Sequence, residues 1–245
     1  MTDASNKHFL KRVQKTVGRA INRYGMIQAG DRIVVGISGG KDSAVLLETL
    51  SLRRRWIPIH YELIAVHIHV EGITPLIELD SYQELCSQMG IPFHFRTIAI
   101  DRNRDPDKSI CFVCSWHRRK ELFLTAKELG CRRLALGHHM DDAIETLFMN
   151  MAFHATISSM PPRLSMFGGE LEIIRPLILL TEQEVERYAR IRGFPLSKTQ
   201  CPYGDQSRRD EIKSLIKALC RGNRRTKMNL YASMSHINRE YLPSE

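Results

Sequence analysis

Ser38-Gly39-Gly40-Lys41-Asp42-Ser43 follows the short β-branched run Arg32 to Ile37 and precedes the apolar run Ala44 to Leu50. A buried strand, a glycine turn and a helix in that order make a cradle for a pyrophosphate. The glycines let backbone amides approach, and the helix N-terminus favours negative charge. Ser38 and Ser43 add hydroxyls, Lys41 adds a positive charge, and Asp42 can hold a magnesium ion against the phosphates. A helix cap by Asp42 or Ser43 would explain two of these residues, but not the full string in its strand-loop-helix setting. The string lacks the Gly-x-x-x-x-Gly-Lys-Ser/Thr spacing, so it is not the P-loop kinase pattern.

Gly137-His138-His139-Met140-Asp141-Asp142-Ala143-Ile144-Glu145 follows another predicted strand, Arg133 to Leu136. That brings it to the carboxyl edge of a parallel sheet, where such folds bind ligands. Gly137, His138 and Asp141 are candidate nucleotide contacts, and Asp141 or Asp142 a candidate magnesium group. Asp142 and Glu145 also have capping-box spacing, which accounts for that pair without chemistry.

Cys111-Phe112-Val113-Cys114 reads as a redox pair or as half of a metal site. Cys201, in a turn-forming Cys-Pro-Tyr-Gly setting, is a third thiolate. Zinc would want a fourth ligand, for which His117 is nearest, whereas a 4Fe-4S cluster on three cysteines would keep one iron open. Cys86 and Cys131 lie in apolar runs and read as core, and Cys220 continues a helical pattern and reads as structural.

These loops need a sheet to hold them. Leu63 to Ile68, Pro92 to Ile98 and Ile173 to Ile178 read as further strands, with Pro176 placing the last at an edge or end. Helices are predicted from about Leu76 to Met89, after the Cys111/Cys114 segment to Leu129, from Asp142 to Met151, and from the capping box Thr181-Glu184 through Arg192. The expected class is α/β, with a doubly wound, mainly parallel sheet. Phe9, Leu10, Val13, Val17, Ala20 and Ile21 recur at helical spacing among lysines and arginines, giving an amphipathic N-terminal helix. The expected organisation is an N-terminal helical segment over 1–30, a nucleotide domain over 31–196 carrying the Cys-x-x-Cys insertion, and a basic helical segment over 197–245.

A formal charge of +9 favours a polyanionic partner without specifying a sequence. Arg208, Arg209, Arg221, Arg224 and Arg225 concentrate that charge near the C-terminus and are candidate phosphate contacts. No run reaches the roughly 18 apolar residues of a membrane span, so a cytoplasmic protein without membrane contact is expected.

The phosphate loop resembles the signature of N-type ATP pyrophosphatases, the adenine nucleotide alpha hydrolase group. In order along the chain come that loop, Cys-x-x-Cys followed by Arg118 and Arg119, Gly-His-His-x-Asp-Asp-x-x-Glu-Thr, Met160-Pro161-Pro162, Ile174-Arg175-Pro176-Leu177 and a late cysteine. Together they look like the tRNA 2-thiocytidine synthesis family. The resemblance implies that Cys111, Cys114 and Cys201 hold a 4Fe-4S cluster and that residues 38–43 bind ATP and Mg2+. It also implies that O2 of an anticodon-loop cytidine in tRNA is adenylated, after which sulfur carried by the open iron displaces AMP. Asp42, Asp142 and Arg118 are the implied catalytic residues. A cysteine desulfurase or free sulfide is the implied sulfur donor, and a homodimer the implied assembly. Two places depart from the family pattern: His67-Ile68-His69-Val70, where an Asp-containing sequence is expected, and Gly204, where many members carry a second nearby cysteine.

Two other functions fit part of the sequence. A lysidine synthetase shares the phosphate loop but does not require the three cysteines, and a zinc-stabilised ATP-binding RNA module would have no turnover. Iron and sulfide content separates the latter from a thiolase.

Overall fold

The computed structural model describes residues 3–74, 77–101, 109–194 and 208–242. Its strands are β1 (Arg32–Ile37), β2 (Glu62–Val70), β3 (Phe93–Ile98), β4 (Arg133–Ala135), β5 (Arg163–Met166) and β6 (Leu171–Ile174). Its helices are α1 (Asp3–Arg23), α2 (Lys41–Arg53), α3 (Leu79–Gln88), α4 (Ile110–Glu128), α5 (Met140–His154), α6 (Glu182–Arg192), α7 (Arg208–Cys220) and α8 (Arg224–Ser233).

The strands form one sheet in the order β3-β2-β1-β4-β6-β5, parallel throughout except for the antiparallel pair β5/β6. Ile33, Val35 and Leu63 face a core shared with Val13 and Val17 of α1, Leu46 of α2 and Val185 of α6. Val34, Ile64, Val66 and Leu134 face the other way, onto Ala126 and Leu122 of α4. Burial on both faces is why these strands read as continuous β-branched runs and not as alternating ones. Helices on both faces make the sheet doubly wound, as expected, and the order turns at β1 and β4, whose following loops carry the two candidate motifs.

Three details differ from the sequence reading. The run Ile173 to Ile178 stops being a strand at Ile174, and of the two places Pro176 allowed it marks the end, since β6 lies between β4 and β5 and not at the edge. Pro176 falls beyond the strand end, where its missing N–H costs no ladder bond. The edge strand β5 was not anticipated: Arg163-Leu164-Ser165-Met166 is short and mostly exposed, so it has little apolar pattern to betray it. Finally, α4 begins at Ile110, so Cys111 and Cys114 lie within its opening turns and not ahead of it. The C-terminal helices dock on α5, where Ile212, Ile216 and Cys220 pack against Met140 and Ile144. Cys86, Cys131 and Cys220 are all buried, as their apolar settings predicted. Among the described residues, no helix is long and apolar enough to cross a membrane.

Candidate active site

The turn from β1 into α2 is held by its own serines. The Ser38 amide donates to Ser43 Oγ at 3.2 Å, Ser43 Oγ donates to the Gly40 carbonyl at 2.9 Å, and the Gly40 amide donates to Ser38 Oγ at 3.3 Å. Gly39 sits at φ +86°, where a side chain would be strained. Gly40 is the N-cap of α2 and offers no side-chain acceptor. The opening amides of the helix therefore face the loop without a capping oxygen, and neither Asp42 nor Ser43 acts as that cap.

Asp42, in the first turn, has a buried Oδ1 without a hydrogen-bond partner. The nearest cation is Lys41 Nζ at 3.5 Å, and His139 Nε2 lies 4.0 Å away. Burial pushes its carboxyl above the usual range; Lys41 and His139 pull it back, while Asp142 adds to the rise.

The loop after β4 touches this turn backbone to backbone. A Cβ on Gly137 would lie 3.0 Å from the carbonyl carbon of Asp42 and 3.1 Å from the Ser43 amide nitrogen, so a side chain there would push the phosphate loop aside. His138 follows, with Nδ1 lacking a partner. Burial drives its pKa down to about 4, with Arg175, Arg209 and Arg119 pushing the same way and Asp142 opposing. His139 caps α5: its Nδ1 accepts from the Asp142 amide at 3.4 Å, and Asp142 Oδ2 accepts from the His139 amide at 2.9 Å. The capping box is thus His139/Asp142, one box-length earlier than the Asp142/Glu145 spacing suggested. Histidine is an infrequent cap, which hid the motif.

Asp142 keeps Oδ1 for Arg209, whose Nη2 donates at 2.5 Å while its Nε donates to Glu145 Oε2 at 2.7 Å. Burial works to raise the Asp142 pKa, but His139, His138 and Arg209 outweigh it and hold the carboxyl below its ordinary value. Both oxygens of Asp141 are engaged, Oδ2 by the Glu182 amide at 2.8 Å and Oδ1 by Lys227. Lys41 Nζ lies 3.5 Å from Glu182, which also accepts from Lys213 at 3.0 Å. Arg209, Lys213 and Lys227 therefore close the carboxylate side of the site from α7 and α8. Sequence reading had assigned such C-terminal cations to RNA; only the positions of Asp142, Glu145 and Glu182 across the fold reveal their partners.

Cys111 and Cys114 stand one helical turn apart in α4, whose N-cap Ser109 accepts from the Phe112 amide at 3.3 Å. Cys111 is exposed, and Cys114 is buried against Val70 and Ile73 at the carboxyl end of β2. Two thiols spaced i, i+3 lie on neighbouring positions of one helix surface. Cys201 lies outside the described residues, as does the rest of 195–207. Farther along α4, Arg118 acts on His67 and Arg119 on His138 and Arg175, so this helix directs two successive charges toward the two halves of the site.

Arg175, just past β6, is buried; its Nη1 donates to the Pro161 carbonyl at 2.6 Å while Nε has no partner. Burial lowers its pKa to about 10, with Arg119 adding to the fall and Asp142 opposing it. His67 on β2 is another buried polar group that sequence reading left without a role.

The chain matches the PP-loop domain family over residues 6–219. It is 37% identical over 239 residues to a protein of Geobacter sulfurreducens named tRNA-cytidine(32) 2-sulfurtransferase, covering 95% of this chain and 92% of that one. A relative of the same name from Geotalea daltonii is 36% identical, with 95% and 94% covered. Among solved structures, the U34-tRNA thiolase NcsA of Methanococcus maripaludis with its 4Fe-4S cluster has a similar fold. Its TM-score is 0.75 at 24% identity, with 98% of this chain and 82% of that chain covered.

Proposed function

The chain belongs to the PP-loop ATP-binding family and, within it, to the tRNA-cytidine(32) 2-sulfurtransferases, and from that premise we propose that it adenylates O2 of a tRNA cytidine and replaces that oxygen with sulfur. The observation that carries the reading is the orphaned, buried Oδ1 of Asp42 beside Lys41 in an uncapped loop. A carboxylate oxygen buried without a donor is costly unless a ligand supplies the missing charge, and a magnesium ion on a pyrophosphate supplies it. Asp42 would hold that ion, and Lys41 with the loop amides would steady the pyrophosphate as it leaves.

In this mechanism the cytidine O2 attacks the α-phosphorus. An O–P bond forms, the bond from the α-phosphorus to the bridging oxygen breaks, and its electron pair leaves with pyrophosphate. Asp142, held ionised and oriented by His139 and Arg209, and Arg118 are the proposed catalytic side chains. The base becomes an adenylated oxygen, so attack by a sulfur nucleophile at C2 expels AMP.

Cys114 packs beside Val70 at the carboxyl end of β2, with Cys111 one helical turn away in α4, and with Cys201 they would make a donor set of three that suits a 4Fe-4S cluster. Such a cluster supplies an iron with an open position for sulfur. The proposed sulfur source is a cysteine desulfurase or free sulfide, and the proposed assembly a homodimer.

The test uses anaerobically purified protein with tRNA, ATP and sulfide. Pyrophosphate and AMP should accumulate in step with 2-thiocytidine; production of ADP and phosphate instead would end the adenylation reading. Loss of any one of the three cysteines should abolish thiolation. A colourless, zinc-loaded preparation with full activity would overturn the cluster.

A further inference from the structure

His67 is 2% exposed and sits at the carboxyl end of β2, paired in register with Ile37, the last residue before the phosphate loop. Its Nδ1 lies 2.8 Å from the Ile37 carbonyl oxygen. A carbonyl only accepts, so Nδ1 must carry the proton in that contact. A neutral ring then bears a lone pair at Nε2, and that atom is buried with no hydrogen-bond partner.

Neutrality has its own physical support. Burial lowers the pKa of His67 to about 4; the bond to Ile37 opposes this, while the charges of Arg118 and His69 favour it. The ring plane is also fixed, because His67 and His69 both stack on Phe95, at 5.5 Å with 13° and 6.1 Å with 19° between planes. The result is a buried, oriented acceptor stacked on Phe95, its ring hydrogen-bonded to the residue that precedes the pyrophosphate cradle.

We propose that His67 Nε2 accepts a hydrogen bond from the 6-amino group of ATP's adenine, making His67 the residue that reads the base of the bound nucleotide. This deepens the adenylation reading and rests on it. An acceptor is satisfied by an amine donor and is confronted by the lone pairs of a 6-oxo group, so the same atom selects adenine and rejects guanine. The Phe95 ring beside the acceptor suits a flat base better than a sugar. The fixed Nδ1 proton keeps the lone pair in place across the neutral pH range.

The experiment measures equilibrium binding of four nucleotides to the cluster-loaded protein and to His67→Phe: ATP, GTP, purine riboside triphosphate, which lacks the 6-amino group, and 3′-deoxy-ATP. Wild type should bind the purine riboside triphosphate about five- to tenfold more weakly than ATP, the cost of an unmade hydrogen bond to a buried acceptor, and GTP more weakly still. His67→Phe should bind ATP and the purine riboside triphosphate alike. His67→Asn, which retains an acceptor, should restore part of the preference for ATP.

Equal wild-type affinity for ATP and the purine riboside triphosphate would overturn the assignment. So would a loss confined to 3′-deoxy-ATP, which would hand the acceptor to the ribose, or a preference for ATP that survives in His67→Phe. If wild type binds none of the four, the adenylation reading fails before base recognition arises. Circular dichroism and iron content of His67→Phe identify a variant that has not folded; His67→Asn, with both polar positions available, then carries the comparison.

Discussion

The two edges of the sheet treat polar groups in opposite ways. At the amino edge, Arg133 is buried and pairs with Asp31 at 2.5 Å and with Glu172, while Arg163 Nε reaches Glu172 at 3.0 Å. At the carboxyl edge, Asp42 Oδ1, His67 Nε2, His138 Nδ1 and Arg175 Nε are buried with no hydrogen-bond partner. Burying a polar atom without a partner costs stability, and folded proteins satisfy nearly all of them. Among the described residues the other unpartnered atoms, Arg53 Nε, Tyr82 Oη, Thr125 Oγ1 and Arg187 Nε, are spread over four helices, so the four gathered at the carboxyl edge mark where a ligand completes the structure, whereas the ion network of the amino edge is already complete.

The largest expected effect separates the edges by activity. Asp42→Asn keeps the volume and removes the charge, so pyrophosphate release should fall by more than about 100-fold, in line with losing a metal or charge contact to the transition state. Stability should move the other way. A carboxyl whose folded pKa is raised contributes favourably below its unfolded pKa and loses that contribution as pH rises through the folded value. The ionised carboxylate at neutral pH is thus the destabilising form, and the variant should melt higher at pH 7, with the gain vanishing below about pH 4. A variant that melts lower at pH 7 would mean that Oδ1 is satisfied after all.

The amino edge should show the inverse. Arg133→Met leaves Asp31 with the Gln28 amide and Glu172 with Arg163, which should cost about 2–4 kcal/mol by removing the buried cation both carboxylates share, while ATP affinity changes by less than about twofold across that distance. Burial tends to raise the Glu172 pKa, but Arg163 and Arg133 outweigh it and hold the carboxyl low. A depressed carboxyl stabilises above its unfolded pKa and loses that contribution as pH falls through the folded one. Wild type should therefore shed this stability in acid, below about pH 4, and the variant should shed less. Urea titration at pH 7 and pH 3.5 measures both.

The edges also differ in how legible they were in the sequence. The phosphate loop and the Gly137 loop could be read because a β-branched run, glycines and a helical pattern occur in consecutive residues. Arg133, Asp31 and Glu172 could not, because the three belong to different strands and meet only once the sheet order is known. The same holds for Arg209: charge counting placed it among RNA contacts, and the docking of α7 on α5 assigns it to Asp142 and Glu145. His67 was visible as a departure from the family pattern, but the carbonyl that fixes its tautomer belongs to the neighbouring strand. The cap at His139 was obscured by chemistry and not by distance, because a histidine ring rarely takes that place.

A third test asks which C-terminal cations remain for nucleic acid. Arg209, Lys213, Arg224 and Lys227 are paired to Asp142, Glu182, Glu184 and Asp141, whereas Lys217, Arg221 and Arg225 are exposed. Arg221 and Arg225, changed together to serine, should lower the slope of log affinity for tRNA against log salt by about 1 to 2, since each phosphate contact contributes roughly 0.7 to 0.9. At moderate salt this is a loss of a few-fold. An unchanged slope would make these arginines solvated surface and move the RNA face elsewhere, with the basic side of α1 next in line.

The smallest effect lies within the amino edge itself. Arg32 Nε and Glu62 Oε2 are 2.9 Å apart, as close as many strong pairs, yet their side chains are 45% and 69% exposed. Water at that exposure screens the attraction and solvates each partner separately, so a double-mutant cycle on Arg32 and Glu62 should give a coupling of less than about 0.5 kcal/mol. The same cycle on Arg133 and Asp31, where the arginine is buried, should give several times more, because there the pair is shielded from water. Distance alone would rank the two pairs as near equals. If the cycles return equal couplings, burial is not what distinguishes the saturated network from the surface around it. The contrast between the edges would then rest on the orphaned atoms of the nucleotide side alone.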